Sequence, residues 1–132
     1  TASMTKGGGG TPHWMAPELF DEAANSTATD VYATGVVFWE IAARKLPYEG
    51  KNPSQLMRFV EKGNRESMPA GTPPQFAALM TRCWAQRAED RPSMNDVARD
   101  LRELRTSGGT SEKASPAKSA AVDSGYAAFS RR

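Results

Sequence analysis

One cysteine, Cys83, and one histidine, His13, occur in 132 residues. A lone cysteine excludes an intrachain disulfide and makes a reducing, cytoplasmic compartment the expectation. A lone histidine without Cys or His companions excludes a metal centre of the usual ligand spacing. No apolar run approaches the ~20 residues that span a bilayer, and the first residues lack the basic-then-apolar order of a secretory signal. Net charge is also scarce. Residues 107–132 carry four basic and two acidic side chains, which is the whole excess of +2; residues 1–106 are balanced at 13 of each sign. A neutral body with a faintly basic tail argues against a nucleic-acid partner.

What the chain does have is concentrated in Asp30–Ala43, DVYATGVVFWEIAA. Apolar residues lie on most sides of this stretch, the pattern of a helix inside other elements. Val36-Val37-Phe38-Trp39 would also suit a buried strand, but the run passes ten residues and Ala33, Ala42 and Ala43 favour helix. Gly35 costs about 1 kcal/mol against alanine in a helix interior. A glycine kept there implies that another segment passes close by. Asp30 sits where the helix dipole favours a carboxylate, with Thr27 or Thr29 as the expected cap.

Residues 1–11 are small and polar, with glycine from Gly7 to Gly10. This composition reads as a mobile loop rather than a phosphate cradle, because no strand precedes it and no Lys-Ser/Thr follows. Ser3 and Thr5, beside Lys6, are candidate phosphorylation sites or plain solvated hydroxyls. Pro12 and Pro17 then exclude a regular helix between them, and Trp14 and Met15 supply apolar anchors. Pro17 is expected to open a short helix. Glu18 in such apolar company needs a partner, best an arginine that pairs through both nitrogens.

Further on, Lys45–Gly50 is a turn, and Asn52-Pro53 begins a helix that Gly63 ends. Thr72-Pro73-Pro74 opens another, in which Phe76, Leu79, Met80, Cys83 and Trp84 form one apolar stripe. Cys83 and Trp84 read as core packing. Residues 85–92 are a charged loop. Ser93, with Asp96 three residues on, caps the last helix, whose expected buried face is Met94, Val97, Ala98, Leu101 and Leu104. The remainder, rich in Ser, Gly, Ala, Lys and Pro, reads as disordered.

GTPHWMAPE followed by TDVYATGVVFWE, then LPYEG, CW and RPSM, resembles the C-terminal lobe of eukaryotic-type protein kinases over about residues 1–105. The threonine form GTPxWMAPE is similar to serine/threonine kinases of the tyrosine-kinase-like branch, related to the mixed-lineage and Raf groups. The resemblance implies a mainly α fold of about five helices around a buried central helix. Residues 1–15 would be the end of the activation segment and the substrate-docking loop, 16–105 the helical subdomain, and 106–132 a disordered tail. It assigns Thr11, Pro12 and Glu40 to substrate docking; for Glu40 an ordinary satisfied helical glutamate is an equal alternative. It pairs Glu18 with Arg91, makes Asp30 the anchor of the catalytic loop, and places Ser3 and Thr5 where activation-loop phosphorylation occurs.

The resemblance also implies transfer of the γ-phosphoryl group of ATP, with magnesium, to serine or threonine of protein substrates. That chemistry needs a glycine-rich loop, a strand lysine, HRDxxxxN and DFG. None is in this sequence. The expectation is therefore no catalytic residue here, no ATP, magnesium or other metal bound by this stretch, and a preceding part of the kinase domain as its structural partner. A pseudokinase or scaffold with the same lobe, and a stand-alone helical interaction module, are the other two readings.

Overall fold

The computed structural model describes residues 12–114, with side chains described through residue 107. Among the described residues there are four α-helices: α1 (Thr27–Ala43), α2 (Pro53–Glu61), α3 (Pro74–Cys83) and α4 (Met94–Ala114). Short 3₁₀ turns cover Pro12–Trp14, Pro17–Asp21 and Ala88–Asp90, and no strand occurs among the described residues. The fifth helix expected at Pro17 is one of these turns. It stops because Glu22 adopts a left-handed conformation, φ 67°, and turns its N–H back to Glu18 and Leu19.

The chain forms two units, Thr1–Ala98 and Arg99–Arg132. In the first, α1 packs against α3, the first turn and the Ala88–Asp90 turn, while α2 packs against the first two turns. Ala16, Tyr32, Val36, Trp39, Tyr48, Leu56, Val60, Met80 and Trp84 form its core. The helices begin as their sequences dictate. On α2, Asn52 and Gln55 cap one another's backbone N–H groups at 2.9 Å each way, and Pro53 follows in the first turn. On α4, Ser93 Oγ accepts from the Asp96 N–H at 3.0 Å. The cap of α1 is neither Thr27 nor, alone, Thr29. Ser26 takes that position, accepting from the Thr29 N–H, while Thr29 Oγ1 accepts from the Ser26 N–H. The reciprocal box fixes the helix start one residue before the expected cap.

α1 is central but enclosed on one side only. Thr29, Val31, Tyr32, Gly35, Val36 and Trp39 are buried. Asp30, Val37 and Ile41 are exposed, and Thr34 between them is half-buried. These four recur at i, i+4, i+7 and i+11 and so share one stripe. Val37 is 42% exposed and Ile41 56%, far from the burial expected of a helix apolar all round. The described elements cover only the opposite face.

Gly35 lies where the sequence placed a close approach. A Cβ built there would sit 2.9 Å from Cys83 Cβ and 3.3 Å from the Trp84 nitrogen, so α3 closes on bare backbone. Within the first unit Met94 departs from expectation: it is 41% exposed, and Val97 is the buried residue of that turn. Residues 99–114 continue α4 through Thr106, where the reading from sequence ended it. The Thr106 hydroxyl donates to the Arg102 carbonyl at 3.0 Å, and Glu112, Lys113 and Ala114 are good helix formers. Once nucleated, a helix adds one bond per residue, which carries it through Gly108 and Gly109. The rest of the expected tail, residues 115–132, lies outside the described residues.

Candidate functional site

Two polar contacts hold residues 12–18 against the helical body. The first runs from the indole of Trp14. Its N–H donates to Glu40 Oε1 at 2.8 Å, tying the first turn to the last turn of α1. Glu40 thus accepts from a donor-only side chain. Pro12, Met15, Ala16 and Pro17 are buried around that contact. Thr11, the other docking residue read from sequence, lies outside the described residues, as do Ser3 and Thr5.

The second contact joins residues 73 apart in sequence. Arg91 Nη1 meets Glu18 Oε2 at 2.8 Å and Nη2 meets Oε1 at 2.9 Å, the parallel fork geometry of a guanidinium on a carboxylate. The remaining donors go to backbone carbonyls: Nε to Ala85 at 2.9 Å, Nη1 to Ala28 at 3.1 Å, Nη2 to Gln86 at 3.3 Å. Every one of the guanidinium's N–H groups is thereby used. The arginine side chain is fully buried and the glutamate 28% exposed. Burial pushes the Glu18 carboxyl up. Its bonds to Arg91 and to its own backbone, with the charges of Arg91 and Arg65, outweigh that and hold it below the usual carboxylate range. The neighbouring Arg87–Glu89 pair is a contrast: its side chains are 69% and 63% exposed, so solvent screens it.

Arg65 was missed in the sequence, where it reads as one more cation in the 64–71 loop. Its Nε donates to the Trp84 carbonyl at 3.0 Å, and its other nitrogens reach Asn64, Val60 and Gln86. It also lies 5.1 Å from the Tyr32 ring centroid, as does Arg91. The α1 tyrosine therefore carries two guanidinium groups on its π system, which couples α1 to both loops. Burial raises the Tyr32 and Tyr48 hydroxyls above their ordinary range, and neither makes a well-formed hydrogen bond. Only a spatial neighbour, the aromatic run of α1, gives the Arg65 position away.

Asp30 stands on the first turn of α1, exposed, at the head of the Val37–Ile41 stripe. Among the described residues no hydrogen-bond donor is seen at its carboxylate. No group of three or more His, Cys, Asp or Glu among the described residues could hold a metal ion, and no described helix is long and apolar enough to cross a membrane.

The stretch held to a central helix at Trp14, and clasped at Glu18 by a distant buried arginine, lies within a match to a known family. The sequence profile for protein tyrosine and serine/threonine kinases fits residues 1–101. The chain belongs to that kinase family. A probable serine/threonine-protein kinase, drkD, of Dictyostelium discoideum is 43% identical over 67% of this chain and 7% of its own length. The serine/threonine-protein kinase CTR1 of Arabidopsis thaliana is 37% identical over 79% of this chain and 13% of its own. The mitogen-activated protein kinase kinase kinase 7 of Bos taurus is 33% identical over 72% and 17% respectively. The chain thus spans a small part of each of these kinases.

Proposed function

We propose that this chain is the substrate-side and supporting part of a serine/threonine kinase of the tyrosine-kinase-like branch. The whole protein would transfer the ATP γ-phosphoryl group, with magnesium, to serine or threonine of protein substrates. The observation that carries this is the stripe on α1. Asp30, exposed, heads an apolar surface at Val37 and Ile41 on the face opposite the core. A carboxylate beside apolar surface suits a covering segment that brings both backbone N–H groups and side chains to it. That segment is the one that would carry the catalytic aspartate and the magnesium ligands. Thr11 and Pro12 would set the substrate backbone, and Glu40 would act there chiefly by fixing Trp14. Ser3 and Thr5 would accept activating phosphate. The names of the relatives above support serine/threonine specificity.

The test is phosphoryl transfer by the full-length protein, with magnesium and labelled ATP on a mixed protein substrate, followed by phosphoamino-acid analysis. The expected product is phosphoserine and phosphothreonine, with none formed by residues 1–132 alone. Absence of transfer by the full-length protein, or phosphotyrosine as the sole product, contradicts the reading.

A further inference from the structure

On α2, away from the Trp14 and Glu18 contacts, an open groove of about 460 Å³ is lined by Gly50, Lys51, Gln55, Arg58, Phe59, Lys62 and Asn64. Three of these carry positive charge and none is acidic. Among the described residues, none of Lys51, Arg58 and Lys62 makes an ion pair. Lys62, the C-cap residue of α2, follows Arg58 by four residues and so lies on the same side of the helix end, where like charges at that spacing disfavour the helix. The helix dipole compensates cations in this last turn, but Lys51 lies outside the helix and draws nothing from it. Lys51 is instead fixed over the Phe59 ring, 4.4 Å from its centroid. Phe59 in turn meets the buried Tyr48 edge-on at 6.1 Å, which makes this cation's seat rigid. The capping box uses Gln55 Oε1, so the amide of Gln55 has its N–H groups left for the groove. The lining offers donors and cations, with one ammonium already placed.

We infer that this groove binds an acidic segment of a partner protein, through carboxylates set against Lys51, Arg58 and Lys62. Arg58 supplies the fork that fits a carboxylate, and the two lysines supply point charges on either side. Charge balance over residues 1–106 selects a peptide over nucleic acid. A phosphate backbone is followed by a long basic stripe, whereas here the three cations line one groove on a body whose charges balance. The inference rests on the groove alone and holds whether or not the protein transfers phosphate.

The experiment is fluorescence anisotropy with the full-length protein and a labelled peptide of repeating Glu-Glu-Leu. Its Gln-Gln-Leu counterpart and an oligothymidylate serve as the other arms. Saturable binding of the acidic peptide, weakening with salt, is expected, with little binding of the glutamine peptide. R58E/K62E should weaken it about tenfold, as loss of two partly screened pairs implies. R58Q/K62Q, which leaves the dipole and the fold undisturbed, should weaken it about threefold at an unchanged melting temperature. Lys45→Glu, outside the groove, should change nothing. No saturable binding of the acidic peptide, equal affinity for R58E/K62E, or tighter and substitution-sensitive binding of the oligothymidylate would each overturn the inference.

Discussion

Arg91→Met in the full-length protein is expected to lower unfolding stability by about 3–5 kcal/mol, the cost of stripping one partner from a buried pair. Three backbone carbonyls, of Ala28, Ala85 and Gln86, lose their donor at the same time as Glu18. Arg91→Lys should recover little, because an ammonium has three donors and no fork. Glu18→Gln keeps the shape but leaves a fully buried guanidinium without a counter-charge, so it should cost nearly as much. A double-mutant cycle with Glu18→Gln and Arg91→Met should show strong non-additivity, since both remove one interaction. Additive losses would mean that the backbone bonds of Arg91, not the pair, hold the structure.

The same pair fixes a pH dependence. The Glu18 carboxyl is lowered in the folded protein from an ordinary 4.5. Its contribution is therefore complete above about 4.5 and is lost as pH falls through the lower folded value. Stability should drop on acidification below that point, and Glu18→Gln should flatten the drop. An unchanged acid limb in the variant would remove Glu18 from the account.

Gly35→Val is the second large effect, expected at about 3 kcal/mol of destabilisation by overpacking. The approach is to backbone and Cβ atoms, at 2.9 Å from Cys83 Cβ and 3.3 Å from the Trp84 nitrogen, so no side-chain rotation relieves it. Gly35→Ala should cost less, because alanine regains about 1 kcal/mol of helix propensity. Cys83→Ala should not rescue Gly35→Ala, since the offending atom is Cβ; Cys83→Gly should. If Gly35→Ala stabilises the protein as it would an open helix site, α1 and α3 are not in the contact described.

These two sites differ in how far the sequence disclosed them. Gly35 was legible from physics alone: a glycine inside an apolar helix is tolerated when a neighbour needs its missing side chain. The need of Glu18 for a cation was legible too, but the choice of Arg91 over twelve other basic residues in residues 1–106 came only from the motif order. Arg65 stayed hidden because three of its four acceptors are backbone carbonyls, of Trp84, Val60 and Asn64, and carbonyls leave no trace in residue identity. The helix through residues 107–114 was hidden because Ser-Gly-Gly composition argues locally for a break, while propagation from the preceding turns is a property of the whole element. The half-covered state of α1 follows the same logic in reverse. Its sequence is apolar nearly all round, and the described elements fill one side.

That last point is the centre of the proposed function: the Val37–Ile41 face is completed by the segment that carries the catalytic residues. Urea unfolding of residues 1–132, compared with the full-length protein, tests it most directly. The slope of stability against urea reports the surface exposed on unfolding. A shallow, broad transition for residues 1–132, against a steep and later one for the full-length protein, is the predicted result. A transition equally steep and equally late in residues 1–132 would show a self-sufficient module and contradict it.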